Sequence, residues 1–342
     1  MIIDIHNPHD RFVRQAFTRP EVSMPFFERY LPAGIAAGLD LDALSLENDT
    51  FVDEELQFQQ SDLLFTVQRR DGRPTHLYLL LEHKSQNDIW TPAQLHGYLD
   101  RIWARERQPK GFKPPLTPVI PLVLFHGETG WSAVGNFQEL VDPPGKLARF
   151  TPSFEYILCD LTRDQLDDLQ ERAWLAITLQ VLKFSRSDEL SARLPEIVDL
   201  LHQLVDRWDD ALAFLATVLR YLAAVSRTLD EPTVRLALSR AVPLNTGEKI
   251  MATLAEVWME RGKQEGKLEG KLEGKLEGKL EGREEGLTLQ ARKALRKLLV
   301  SRFGSLPDTV EQRIEQADQT TLDAWFDAAL GTSSLESLFP TD

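Results

Sequence analysis

The stretch "LYLLLEHKSQ", Leu77 to Gln86, ends an apolar run on Glu82, His83 and Lys84. In a strand, Glu82 and Lys84 share one face and His83 points the other way. Upstream, "SDLLFTVQRR" (61–70) is a second apolar run, and "DGRP" (71–74) between the two is a hairpin turn signal. If the turn centres on Gly72, antiparallel partners have residue numbers totalling 144, which sets Asp62 opposite Glu82; a different turn geometry would move that register by one or two. Directly opposed residues have β-carbons about 5 Å apart on the same face. Two carboxylates that close repel and call for a cation. Oxygen-only ligands suit Mg²⁺ or Mn²⁺, and such an ion can make water nucleophilic beside a phosphoryl group. Lys84 would add a second positive charge, orienting that water or stabilising developing negative charge. The alternative is an ion-paired strand end in which Lys84 neutralises Asp62 or Glu82 and no metal binds. The E-x-K spacing alone carries little weight, since it recurs at Glu265 and Lys267 and at Glu269 and Lys271 in glycine-rich sequence.

Around these residues the pattern reads as mixed α and β. "NPHDRFVRQAF" predicts a helix with Asn7 or Asp10 as its cap and Phe12, Val13, Ala16 and Phe17 on one stripe. "EVSMPFFERYLP" predicts a second short helix despite Pro25. "ALSLENDTFVD" reads as a strand before the hairpin. "TPAQLHGYLDRIWARERQ" predicts a helix with Thr91 as cap and Pro92 at its first position. "TPVIPLVLFHG" (117–127) and "FEYILCDL" (154–161) predict buried strands, and residues 162 to about 262 are helical in pattern.

Residues 262–286 repeat a four-residue unit with glycine at every fourth position, seven glycines in all. A four-residue step turns a helix by about 400°, so Leu268, Leu272, Leu276 and Leu280 drift by about 40° per repeat. Each glycine costs about 1 kcal/mol relative to alanine in a helix. In isolation such a helix is marginal. Two alternatives are open: a helix formed as an extension of the helices on both sides, with or without a paired second copy, and a spacer of flexible length. The segment reads as the spacer, with oligomerisation as the sharper option. Beyond it, residues 287–342 predict a small helical module in which Gly304 stops one helix, Pro307 begins the next, and Leu306, Val310, Ile314 and Ala317 form the apolar side.

Composition narrows the function. The 342 residues carry 42% hydrophobic and 27% charged residues, ordinary for a protein with a real core. One cysteine, Cys159, excludes a disulfide framework and a cysteine-based zinc site. No run is long and apolar enough for a membrane span, and the opening "MIIDIHNPHD" lacks a secretory leader pattern, so no membrane partner and a cytoplasmic location are expected. The net charge of −14 argues against a protein that coats nucleic acid. Locally, "RIWARERQPKGFK" sets Arg101, Arg105, Arg107, Lys110 and Lys113 against Glu106 alone. The seven histidines read as scattered and half-buried; His6 and His9 are close in sequence without further ligands, so no zinc site is expected. A phosphate-binding G-x-x-x-x-G-K-[ST] loop is absent.

"HDRFVRQAF", "FFERYLP", "DTFVDEELQFQQSDLLFTV", "LYLLLEHKSQ" and "LHGYLDRIW", in that order, closely resemble the Rpn family of recombination-promoting nucleases, also grouped as PD-(D/E)XK-family transposases. The resemblance covers roughly residues 8–260. "SRFGSLP" and "SSLESLF" resemble a small C-terminal domain of unknown function often attached to such proteins. The resemblance implies a restriction-endonuclease-like α/β core, a mixed sheet flanked by helices. The domains would then be a nuclease core over 1–165, a helical region over 166–261, the spacer over 262–286 and a helical C-terminal domain over 287–342. It implies a Mg²⁺-dependent DNA endonuclease, Mn²⁺ also serving, in recombination or mobile-element biology. By motif position Asp62 and Glu82 match the family's acidic metal ligands and Lys84 its catalytic lysine, although Ser61 stands where the superfamily's name has proline. The backbone carbonyl of His83 is a further metal ligand on this basis alone. Gln86, Gln94 and Arg101 are candidates for substrate contacts, and Asp10 for an accessory acid, the alternative being a helix-terminal charge. The competing functional reading is an inactive nuclease-like module that self-associates through its helical half and spacer.

Overall fold

In the computed structural model the two apolar runs pair antiparallel, from Leu63 opposite Leu81 to Gln68 opposite His76, so every described pair totals 144. The structure describes residues 7–47, 63–71, 76–108, 113–141, 145–169 and 171–340, apart from the side chains at 76–82, 268, 277, 280 and 281. Asp62 and the centre of the turn lie outside these residues.

The described chain begins with α1 (Pro8–Phe17), α2 (Pro20–Tyr30) and the single turn α3 (Ala33–Ala36). The sheet follows in sequence order: β1 (Leu39–Leu46), β2 (Leu63–Arg69), β3 (His76–Lys84), β4 (Val119–Phe125) and β5 (Ile157–Asp160). β1, β2 and β3 are antiparallel neighbours, with an irregularity in β1 between Asp40 and Ser45. β3, β4 and β5 are parallel, and α4 (Thr91–Glu106) makes the connection from β3 to β4. A parallel strand pair needs such a crossover, because a tight turn cannot return the chain in the same direction.

The sheet alternation sorts two cores. Leu63, Phe65 and Val67 of β2 join Leu122 and Leu124 of β4, with Phe12 and Phe17 of α1 and Phe26 and Phe27 of α2. On the other face Leu64, Val123 and Phe125 pack with Leu95, Tyr98 and Ile102 of α4, closed by Trp131 and Tyr156. Leu122 through Phe125 are fully buried, as a strand covered on both faces must be, each side chain stabilising the fold by about 1.5–3 kcal/mol. The first core continues into α5 (Ala173–Phe184), α6 (Leu190–Asp199), α7 (Trp208–Val225), α8 (Glu231–Ala241) and the first turns of α9 (Leu244–Phe303). α5 is buried nearly all round, which accounts for its weakly one-sided sequence.

The chain divides into two compact units, Met1–Arg261 and Gly262–Asp342. The second holds the remainder of α9, then α10 (Asp308–Gln316), α11 (Gln319–Gly331) and α12 (Leu335–Leu338), around Leu295, Leu299, Val310, Ile314, Leu322 and Phe339. Gly304 sits at φ +83, which is why α9 stops there. The glycine repeat is helical within α9. A helix continuous with good helical sequence on both sides bears no nucleation cost, which offsets the poor propensity of glycine. A β-carbon added at any of the seven repeat glycines would meet no neighbouring atom within 4 Å, and Leu272 and Leu276 are exposed. Among the described residues no helix is long and apolar enough to cross a membrane.

Because packing around those glycines is empty, removing Lys267–Gly274, two repeat units, is expected to leave the unfolding free energy of the Met1–Arg261 unit in urea unchanged to within about 0.5 kcal/mol. Unfolding followed by tryptophan fluorescence checks this; a large loss would show that the repeat carries part of that unit's stability.

Candidate active site

Lys84 is the last residue of β3, paired with Phe125 of β4, and its side chain is only 16% exposed. A half-buried ammonium needs acceptors. Its Nζ donates to Gln94 Oε1 at 2.6 Å, and Gln94 Nε2 donates in turn to the Tyr98 hydroxyl at 2.6 Å. Gln94 and Tyr98 are one helical turn apart on α4, so a single helix face supplies both contacts. A lysine can only donate, which fixes the orientation of the Gln94 amide. Asp88 Oδ2 lies 3.6 Å from the same ammonium.

The turn from β3 to α4 is built on Asp88. Its Oδ1 accepts from the Trp90 amide at 2.9 Å, and its carbonyl accepts from the Thr91 amide and hydroxyl. Trp90, not Thr91, is therefore the capping position of α4; the Thr91 hydroxyl is turned back to the Asp88 carbonyl, while Pro92 stands in the first turn as expected. Arg101, farther along α4, lies over the Tyr98 ring at 4.8 Å, and its Nε is buried with no hydrogen-bond partner among the described residues. Gln86 is exposed in the bend after β3.

On the opposite face of β3, His83 is buried and faces α1. Its Nε2 lies 2.8 Å from Asp10 Oδ1, ion-pair distance without hydrogen-bond alignment. Asp10 is thus brought to the motif strand but on the side away from Gln94. The His83 ring stacks on His126 with centroids 5.8 Å apart, and His126 meets His9 at 5.0 Å. The histidines are not scattered: three of them converge because α1 crosses the ends of two parallel strands. Arg186 donates to His9 Nε2 at 2.8 Å, so Nδ1 carries the proton and faces the Tyr221 hydroxyl at 2.8 Å. Burial first, then Arg186, pushes the His9 pKa down to about 3; burial likewise holds His126 well below the usual range. Burial thus disfavours the charged forms of His9 and His126. His6 lies outside the described residues.

At the strand ends the His126 amide donates to the Lys84 carbonyl at 2.9 Å, extending the β3–β4 ladder by one bond. A side chain at Gly127 would collide with the Phe125 ring and approach the Ser85 carbonyl at 3.0 Å, so glycine is required for this close approach. Glu82 occupies its expected place on β3 opposite Val123. Asp62 lies outside the described residues, and the side chain of Glu82 is not described. Among the described residues no group of three or more His, Cys, Asp or Glu side chains could hold a metal ion. Cys159 is buried, and burial pushes its thiol pKa up, which excludes thiolate chemistry.

Of the basic run after Arg101, Arg105, Arg107 and Lys113 are exposed on the described chain and Lys110 lies outside it. Glu106 accepts from the Thr117 amide and is engaged away from the arginines. Sequence reasoning missed Tyr98, Asp88, Arg186 and Tyr221. Tyr98 was accessible through its four-residue spacing from Gln94; Arg186 and Tyr221 carry no local signal.

A family model described as "Putative transposase, YhgA-like" matches residues 7–211. The recombination-promoting nuclease RpnD of Escherichia coli O157:H7 is 29% identical over 197 residues, 57% of this chain and 74% of that protein. RpnC of Escherichia coli K12 is 26% identical over 256 residues, 75% of this chain and 82% of that protein. The "inactive recombination-promoting nuclease-like protein RpnE" of the same strain is 28% identical over 267 residues, 76% of this chain and 86% of that protein. No solved structure matches.

The depressed pKa of His9 has a measurable consequence. The unfolded chain takes up a proton near pH 6.5 that the folded chain refuses until about 3, so stability is full above 6.5 and falls with pH below it. The expected loss is roughly 1.4 kcal/mol per pH unit per such histidine. Urea unfolding between about pH 7 and about pH 5 should show a shallower loss in His9→Gln than in the parent.

Proposed function

From the membership of this chain in the YhgA-like transposase family, we propose that it is a metal-dependent DNA endonuclease with its active centre at the ends of β2 and β3. The observation that carries the reading is Lys84, a strand-end ammonium held at 2.6 Å by Gln94, which Tyr98 holds in turn. An ammonium fixed in that way serves charge stabilisation better than a solvated surface lysine would. The sheet, three antiparallel strands followed by two parallel ones with α4 between, supports a restriction-endonuclease-like core. Two of the relatives are named nucleases, which supports DNA as the substrate.

The proposed site continues the β2–β3 register by one pair, so that Asp62 stands opposite Glu82. Those carboxylates, with the carbonyl of His83, make a hard oxygen donor set of the kind that takes Mg²⁺ or Mn²⁺. The buried Val123 and Phe125 beside Glu82 and Lys84 supply a low-dielectric wall that strengthens such binding. A bound divalent ion supplies Lewis acidity toward water and neutralises phosphoryl charge. Lys84 stabilises the negative charge that grows on the phosphate in the transition state. Gln94 and Tyr98 position its ammonium, and Asp10 positions the backbone at His83 from the other face. Gln86 and Arg101 are the proposed contacts to the phosphates of the bound strand.

A second reading has its own support: one similar protein is named inactive. In that case the chain is an interaction module, and the exposed Leu272 and Leu276 would serve self-association. The spacer and domain assignments remain part of this proposal, with the nuclease core and helical region together in the Met1–Arg261 unit.

Plasmid cleavage in Mg²⁺ and in Mn²⁺ separates the two. Asp62→Ala and Glu82→Gln should abolish cutting while folding is intact, and metal-free Glu82→Gln should be at least as stable as the parent, because charge repulsion falls. Lys84→Ala should keep metal binding by calorimetry and lose about 100-fold or more in rate. A parent that neither binds metal nor cuts DNA would hand the case to the interaction module.

A further inference from the structure

Ile89 and Trp90, beside the proposed centre, are 58% and 62% exposed. Two large apolar side chains standing in water at a strand-to-helix turn are unfavourable for solubility unless something covers them. The turn that carries them is held rigidly. Asn87 Nδ2 donates to the Gly130 carbonyl at 3.0 Å, and Asn87 Oδ1 accepts from the Ser132 amide at 2.7 Å. The Thr91 hydroxyl donates to the Asp88 carbonyl at 2.8 Å, and Thr91 itself is fully buried. The Gln94 amide donates to the Trp90 carbonyl at 3.0 Å, starting α4 on the same residue. The exposed pair is therefore presented by a fixed backbone.

The link to the centre is Asp88. One carboxylate accepts from the Trp90 amide at 2.9 Å with one oxygen and lies 3.6 Å from the Lys84 ammonium with the other. The backbone that carries Trp90 and the ammonium that Gln94 holds thus meet at a single carboxylate. A nucleotide carries the two matching groups, a flat base and a phosphate. From this juxtaposition we propose that Trp90, flanked by Ile89, is a stacking platform for an unstacked DNA base next to the phosphate at Lys84, and so favours single-stranded or unpaired substrate.

The inference rests on the nuclease reading and adds a selectivity element to it. Stacking of a base on an aromatic side chain tolerates any sequence, since every base has a π face. A tryptophan with a fixed backbone loses little conformational freedom when covered. The contact would act beside the metal ligands without belonging to them.

The test uses the full chain and a short single-stranded oligonucleotide carrying one 2-aminopurine, with Ca²⁺ replacing Mg²⁺ so that binding is read without cleavage. The parent should quench the 2-aminopurine. Trp90→Ala should bind about 10-fold more weakly and quench little, and Trp90→Phe should stay within about 3-fold of the parent. On fully paired duplex the three proteins should differ by less than about 3-fold. With Mg²⁺ restored, the cleavage advantage of single-stranded over duplex DNA should fall in Trp90→Ala by the same factor. Equal thermal unfolding of the variants confirms that exposure, not folding, is being altered. A parent that cuts DNA while Trp90→Ala matches it in affinity, quenching and strand preference overturns this inference alone. A parent that neither binds nor cuts DNA overturns both it and the nuclease reading. Loss of self-association in Trp90→Ala, with DNA affinity unchanged, would assign the patch to a second copy of the chain and overturn the inference as well.

Discussion

The two-residue period of β3 is the constraint on which the rest of the site depends. His83 and Lys84 are neighbours in the chain, yet they face different helices: one meets α1 through Asp10, the other meets α4 through Gln94. A slip of one residue in the β3–β4 register would exchange them, putting an ammonium into the buried histidine cluster and an imidazole against Gln94. The register is held against such a slip from both sides. Six described pairs tie β3 to β2, seven tie it to β4, and the fully buried Leu122–Phe125 run admits no polar replacement.

That division explains why the molecule keeps two kinds of polar chemistry so close together. On the α1 face burial suppresses the charge of His9 and of His126, and His9 is satisfied by Arg186 and Tyr221. On the α4 face Lys84 has Gln94 as hydrogen-bond partner, Asp88 nearby and a side chain still 16% exposed, so its polar end is not stranded in an apolar core. Gly127, beside Ser85 and Phe125, lets the strand ends close over this boundary.

Much of this was legible in the sequence where the determinants are local. A turn centred on Gly72 between two apolar runs pointed to the β2–β3 register that forms, and Pro92 marked the first turn of α4. Gly304 marked the end of α9. Other features needed tertiary information. Trp90 took the cap position from Thr91 because Asp88 forms an Asx-type turn onto its amide, a competition that residue preferences alone do not rank. The histidine cluster joins residues 9, 83 and 126, with Arg186 and Tyr221 from the helical half, and no short window contains them. The repeat within α9 is helical despite its glycines because helix formation is cooperative across a boundary that local propensity treats as an end. The carboxylate pair stays a proposal, since Asp62 and the side chain of Glu82 lie outside what the structure describes.

A net charge of −14 is at first sight a poor start for a DNA enzyme, and its resolution lies in length scales. At physiological ionic strength charges are screened beyond about 8 Å, so distant acidic surface adds little repulsion once DNA is in contact. What matters there is local. Lys84 ends β3 at the proposed centre, Arg101 lies over Tyr98 on α4, and Glu106 is engaged by Thr117. On the proposed reading, few cations at the site would release few counterions, so non-specific duplex affinity would be low and only weakly salt-dependent. A protein that cannot hold DNA by charge alone must gain affinity from contacts that ignore charge. Ile89 and Trp90, exposed on the turn that Asp88 joins to Lys84, are the apolar surface proposed to supply them.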